Sequence, residues 1–356
     1  MHAVIMAGGR GSRFWPKSRE KLPKHLLDLF GGRTIVQETV ARVLPLVPPE
    51  KILIVTGESH AGALIRQLPE LPRENILIEP AGRNTAPCIG WAAMEIARRD
   101  PGEVMLVLPS DQIILDAERF RSVLAAAADA AATGDVLVTI GIQPTGPETG
   151  YGYLECGEKA FDARGEEVFR VASIREKPDR ATACEFLARG GFLWNSGMFV
   201  WRAGSILRAI GRWMPDLNDG LGRIAALPAS APSREEFRRI YEQLPAVSID
   251  YGVMEKAGNV LVLRGDFGWS DVGSWDALWE ISEKDACGNA ASCRLVEVDA
   301  ANVLVHGAKK LVALVGVKDL IVVETEDALL ICRRGASQDV KKAVVEIERR
   351  GWKELL

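Results

Sequence analysis

Residues 7 to 24 read AGGRGSRFWPKSREKLPK, directly behind the apolar run HAVIMA at 2 to 7. A short unbroken apolar run suits a strand buried on both faces, the first strand of a parallel sheet, and it sets the glycines at that strand's carboxyl end. Gly8, Gly9 and Gly11 lack a Cβ, so their N–H groups can come close to an anion. Arg13 adds a planar fork for phosphate oxygens, and Lys24 adds a mobile point charge. Pro16 and Pro23 stiffen the segment between them. The stretch predicts a polyphosphate site. It is neither GxxxxGKS/T nor GxGxxG followed by an acid about twenty residues on, which disfavours a P-loop NTPase and a dinucleotide oxidoreductase.

Working outward, residues 34–46 space their apolar positions as a helix, and KILIVT at 51–56 reads as a strand. NILIE at 75–79 and EVMLVL at 103–108 are further strands, with a helix over 86–99 between them. An alanine-rich helix is expected at 120–133 and a strand, VLVTIGI, at 136–142. From there to about residue 275, strands and loops are expected to dominate. The alternation predicts an α/β fold, a Rossmann-like mixed and mostly parallel sheet flanked by helices, with ligands beyond the carboxyl ends of the strands.

The last part of the chain changes character. Runs at 295–298, 303–305, 311–315, 320–323 and 329–332 are short, β-rich and separated by turn formers such as Asp299, Gly307 and Gly316. Such spacing predicts a small solenoid or a meander, closed by an amphipathic helix over 340–349. A boundary near residue 285, in SEKDACGNAAS, divides a catalytic domain at 1–284 from a β-rich domain at 285–356. Exposed edges of neighbouring coils suggest a homodimer.

The composition narrows the function. The 356 residues carry a formal net charge of -4, so no basic footprint for nucleic acid is present. The six cysteines, at 88, 156, 184, 287, 293 and 332, form no CxxC pair, and the four histidines are scattered. Zinc is not expected and reduced cytosolic thiols are. The start MHAVIMAGGRGSR has no basic segment before its apolar stretch, and no run of about 18 apolar residues occurs. A cytoplasmic protein without a membrane partner is expected.

Further motifs carry chemistry. LVLPSD at 106–111 ends a buried strand with Asp111, and GWSDVGSW at 268–275 frames Asp271. Two carboxylates beside a triphosphate suit Mg²⁺, whose shell is completed by phosphate and water. Asp111 is also suited to capping the next helix. EPAGRNTAP at 79–87 offers Asn84 or Thr85 as a helix cap. ETGYGY at 148–153 is a tight loop in which the missing side chains of Gly150 and Gly152 leave backbone open to a sugar ring. In IREKP at 174–178, Glu176 and Lys177 form either an exposed ion pair or an acceptor of sugar hydroxyls beside a cation for a sugar phosphate. WNSGMF at 194–199 and IDYGVMEK at 249–256 complete the set. Asp250 in the latter suits buried polar support as well as direct contact.

In this order the motifs resemble those of the sugar-nucleotide pyrophosphorylases, and RNTAP, WNSGMF and IDYGVMEK resemble their mannose-1-phosphate guanylyltransferase branch. The resemblance runs from residue 1 to about 335. It implies the nucleotide-diphospho-sugar transferase fold with a left-handed β-helix-like carboxyl-terminal domain. It further implies Mg²⁺-dependent transfer from GTP to α-D-mannose 1-phosphate, giving GDP-mannose and diphosphate. By this resemblance Arg13, Lys24, Asp111 and Asp271 are catalytic, and Asp111 and Asp271 hold the metal. Ala7, the 8–13 loop, Pro109 and Asp111 serve the nucleotide phosphates, while Asn84 and Thr85 serve the nucleoside. Gly150, Glu176, Lys177, Asn195 and Asp250 fall to the sugar phosphate. His25 stands where relatives often carry glutamine. The extra domain that makes some relatives bifunctional isomerases is not in the chain, so one activity is expected. Two alternatives stand beside this one: a pyrophosphorylase for another sugar phosphate and triphosphate, and a regulatory subunit that only binds a nucleotide sugar. A pure binder has no need of the metal pair or the leaving-group charges.

Overall fold

The apolar run at the chain start forms a strand, His2–Ala7, in which Ala3, Val4 and Ile5 have no solvent exposure. The computed structural model describes residues 1–9, 11–227, 234–307 and 309–356. These divide into two compact units, one of Met1–Gly8, Val40–Ser110 and Ile114–Trp269, the other of Gly9–Thr39, Asp111–Ile113 and Ser270–Leu356.

The first unit is built on a nine-stranded sheet. Its spatial order is Ile76–Glu79, Ile52–Gly57, His2–Ala7, Val104–Pro109, Phe192–Arg202, Leu137–Ile142, Val260–Gly265, Glu166–Arg175 and Gly152–Ala163. The sheet is mixed and mostly parallel in direction, because Phe192–Arg202 and Glu166–Arg175 run against the strands on either side. Helices cover it. Thr85–Ala97 buries Ile89, Ala92, Ala93 and Ile96, and its Gly90 lets a neighbouring helix approach, since a Cβ there would lie 2.7 Å from Leu221 Cδ1. Ala117–Ala132 starts three residues before the expected position because Asp116 caps it, accepting from Arg119 N at 2.9 Å.

Strands and loops make up most of the described residues of 142–275, as expected, but helices that the sequence did not suggest interrupt them. Helices Arg180–Arg189, Ala203–Trp213, Pro215–Ala225 and Arg234–Tyr241 lie there. Their signals are local: Asp179 caps the first, with Gly190 at φ 69° just beyond its end, and Pro215 occupies the first turn of the third, where its missing N–H costs no bond.

The second unit contains the carboxyl-terminal strands. Ala290–Ala291, Leu304–His306 and Leu320–Glu324 stack in parallel, as do Leu295–Val298 and Val312–Val315. Leu304 pairs with Ile321 and Leu295 with Val312, the same step in sequence, which is the repeat of a solenoid rather than a meander. Leu329–Arg333 closes the stack antiparallel to Leu320–Glu324, and helix Val340–Arg349 follows. Phe14, Trp15, Val272, Trp275, Ile321, Val323, Val340 and Ile347 share one core. Among the described residues no helix is long and apolar enough to cross a membrane.

Candidate functional site

In the second unit the glycine loop closes onto Lys24. Gly11 sits at φ 61°, and a Cβ there would lie 2.6 Å from Lys24 Cβ and 2.9 Å from Lys24 N, so both conformation and space require glycine. Ser18 Oγ donates to the Gly11 carbonyl at 2.8 Å, fixing the turn Ser12–Phe14. Within the 8–13 loop, residue 10 lies outside the described residues. Lys24 is not the mobile charge its sequence context suggests. Its side chain is 8 % exposed, and its ammonium donates to Asp111 Oδ2 at 3.0 Å and to the main-chain carbonyl of Asp271. A buried ammonium persists only with such partners.

Asp111 therefore pairs with a cation, and the capping alternative falls to Asp116. Asp271 lies before Val272, a β-branched residue at φ 41°, and its Oδ1 accepts from Gly273 N at 3.2 Å. A Cβ on Gly273 would lie 2.7 Å from Asp271 Oδ2 and 3.2 Å from Arg13 Nη1, so its absence leaves room where acid and guanidinium converge. Arg13 also donates to Gln338 Oε1 at 3.2 Å. The unit thus gathers Gly11, Arg13, Lys24, Asp111 and Asp271. Among the described residues no cluster of three or more histidine, cysteine or acidic side chains is arranged for a metal. Two hard carboxylate donors instead suit an ion that takes its other oxygens from phosphate and water.

The first unit gathers a second group. Asn195, on strand Phe192–Arg202, donates from Nδ2 to Asp250 Oδ1 at 2.7 Å, while its Oδ1 accepts from Thr139 Oγ1 and Gly197 N, both at 3.2 Å. Burial pushes the Asp250 carboxyl up to about 6, and the negative charge of Glu176 adds to the rise. Glu176 is 9 % exposed at its side chain, whereas Lys177, 3.2 Å away, is 57 % exposed, so the pair is only half the surface ion pair considered from sequence. Glu255 Oε1 accepts from Glu176 N at 2.9 Å.

Gly150 is exposed, with open space where a Cβ would be. Gly152 is the close approach in that loop: a Cβ there would collide with Glu176 Oε2 and stand 3.2 Å from Asn195 Cβ. Tyr151 lies edge-on between Trp194 and Trp269, ring centroids 5.1 and 5.3 Å away, tying three motifs together.

Asn84 caps helix Thr85–Ala97 through Thr85 N at 2.9 Å, and Thr85 Oγ1 accepts from Ile249 N at 2.9 Å. Both side chains thus carry structural bonds. Pro109 ends its strand in register with Met6, and a Cβ on Gly197 would lie 3.7 Å from Pro109 Cγ. Ala7 ends the first strand and its carbonyl accepts from Thr56 Oγ1 at 2.8 Å; Gly8 and Gly9 have open space where a Cβ would be. Asn84, Lys177 and Val272 all have positive φ, at 66°, 47° and 41°, and backbone strain of this kind collects at functional positions. Sequence reasoning gave no role to Tyr151, Glu255 or Gln338, and read Gly152 as open backbone for a sugar rather than as room for Glu176. Of these, only Gln338 lies outside every motif.

Residues 2–287 match the family model for nucleotidyl transferases, and residues 293–347 match a mannose-phosphate isomerase/GMP-like β-helix domain. A mannose-1-phosphate guanylyltransferase of Escherichia coli K12 is 43 % identical over 99 % of this chain and 74 % of its own length. The alginate biosynthesis protein AlgA of Pseudomonas aeruginosa is 40 % identical over 99 % of this chain and 73 % of its own. A crystal structure from Thermus thermophilus, described as a mannose-1-phosphate geranyltransferase, superposes with a TM-score of 0.87 at 36 % identity, covering 98 % of this chain and 99 % of that one.

Proposed function

The chain belongs to the nucleotidyl transferase family, on its mannose-1-phosphate guanylyltransferase branch, and we propose that it makes GDP-mannose and pyrophosphate from GTP and α-D-mannose 1-phosphate. The observation that carries the chemistry is the gathering of Arg13 and Lys24 with Asp111 and Asp271 behind a glycine turn. The activity named for the Escherichia coli relative and the RNTAP stretch support the choice of substrates.

The nucleophile is a phosphate oxygen that is already anionic, so no general base is needed. It forms a bond to the α-phosphorus of GTP while the bond to the bridging oxygen breaks and pyrophosphate leaves. The difficulty is repulsion between two anions and their alignment in line. Arg13, Lys24 and the glycine N–H groups offset the charge that grows on the departing pyrophosphate. Enzymes of this family generally use a divalent metal. Asp111 and Asp271 would hold Mg²⁺, whose charge offsets that of the triphosphate. Glu176 and Asn195 accept and donate to sugar hydroxyls, Asp250 orients Asn195, and Lys177 faces the sugar phosphate. Asn84 and Thr85 border the nucleoside by the family resemblance, in addition to the structural bonds their side chains carry.

A homodimer belongs to the same reading. Val296 and Val298 are exposed on one strand of the solenoid, and Val315, in register with Val298, is exposed on the next. Light scattering at micromolar concentration tests it, and a monomer would remove it. The reaction itself is tested by pyrophosphate release with GTP and mannose 1-phosphate, repeated with glucose 1-phosphate and with ATP, UTP and dTTP. Release that needs mannose 1-phosphate and is fastest with GTP is expected; none with any pair would favour a regulatory binder.

A further inference from the structure

Gln338 lies 325 residues from Arg13 in sequence, yet its Oε1 accepts from Arg13 Nη1 at 3.2 Å. The segment that presents it is firmly held. Ser337 has no solvent exposure, and its Oγ donates to Asp276 Oδ2 at 2.5 Å while accepting from Asp276 N at 3.2 Å. Gly335 N donates to Asp276 Oδ1 at 2.8 Å. Asp276 stands in the first turn of helix Trp275–Ile281, five residues after Asp271. The preceding residue, Trp275, is fully buried, donates from Nε1 to the Trp15 carbonyl at 3.1 Å and packs its ring 4.9 Å from that of Phe14. Asp276 therefore ties the turn bearing Gln338 to the helix that follows Asp271, while Trp275 ties that helix to the turn bearing Arg13.

We propose that Gln338 is a positioning residue that aims Arg13 at the polyphosphate; this rests on the role given to Arg13 above. An exposed arginine has many rotamers, and fixing one N–H narrows them before substrate arrives. The acceptor is a neutral amide. Unlike a carboxylate, it orients the guanidinium without neutralising it, leaving the other N–H groups and the full charge for an anion. Asp271, which lies with Arg13 around Gly273, is assigned to the metal.

The neutral acceptor gives a test that a merely structural bond would fail. Gln338→Ala should lower kcat/KM for GTP about tenfold, the scale of one lost hydrogen bond, without changing the melting temperature, since the side chain is exposed. Gln338→Glu keeps an acceptor in place but adds a charge, and it should lose more than Gln338→Ala, chiefly through a raised KM for GTP. In an Arg13→Ala background, Gln338→Ala should have no further effect. Wild-type kinetics in Gln338→Ala, or a Gln338→Glu enzyme as active as wild type, would overturn the inference while Arg13→Ala remains impaired. An Arg13→Ala enzyme with normal turnover would instead remove the reading on which it rests.

Discussion

Lys24 and Asp111 form an unequal ion pair: the ammonium is 8 % exposed and the carboxylate 40 %. The cation is held on its inner side by the Asp271 carbonyl, while the acid keeps an open edge. Such a pair sets a charge in advance, so little reorganisation is left for the reaction. Lys24→Ala is expected to cost on the order of 10²-fold or more in kcat/KM, comparable to losing one preorganised contact. Steady-state kinetics check this, and near-normal turnover would show that the ammonium is structural.

Asp271 offers Lys24 its main-chain carbonyl, while its carboxylate accepts from Gly273 N and, in the proposed reaction, holds the metal. Asp271→Asn preserves the carbonyl and removes only the charge. Activity titrated against Mg²⁺ should then saturate at a higher concentration, together with a fall in kcat. An unchanged titration would assign the carboxylate to a structural role such as holding Gly273 N.

Gly152 makes room for a charged side chain. A methyl group at 152 would collide with Glu176 Oε2, so Gly152→Ala must push Glu176 out or move the strand. Overpacking of this kind costs about 1–3 kcal/mol. The expected kinetic signature is a rise in KM for mannose 1-phosphate of about tenfold or more, with KM for GTP little changed. Equal changes in both would mean a general loss of fold rather than displacement of one contact.

The sheet was legible because its strands are short apolar runs separated by helical spacing, as in HAVIMA and EVMLVL. The helices of 180–241 were less so: Asp179, Gly190 and Pro215 mark their ends, but they stand among polar motifs that read first as loops. Within the candidate site, Lys24, Asp111 and Asp271 were legible as chemistry, since cations and acids behind a glycine turn have few bland explanations. Their mutual geometry was not. Gln338 left no local trace at all: its partner is 325 residues away, and one exposed glutamine looks like any other until the chain is folded.

Asp250 supplies a pH test. Its carboxyl is pushed up to about 6 from an ordinary 3.8, first by burial and then by Glu176, with the Asn195 bond opposing the rise. Because the folded protein holds this proton more tightly than the unfolded chain, the associated stability is fully present below about pH 4 and is lost as pH rises through 6. The full swing is at most about 3 kcal/mol, of which about half falls between pH 5 and 8. Asp250→Asn keeps an oxygen to accept from Asn195 Nδ2 but has nothing to ionise. The melting temperature of the variant minus that of the wild type should therefore climb from pH 5 to 7 and level off by pH 8. A difference that stays flat over this range would show that an ionised Asp250 is tolerated without cost, and that its burial does not set the protonation of the Asn195 pair.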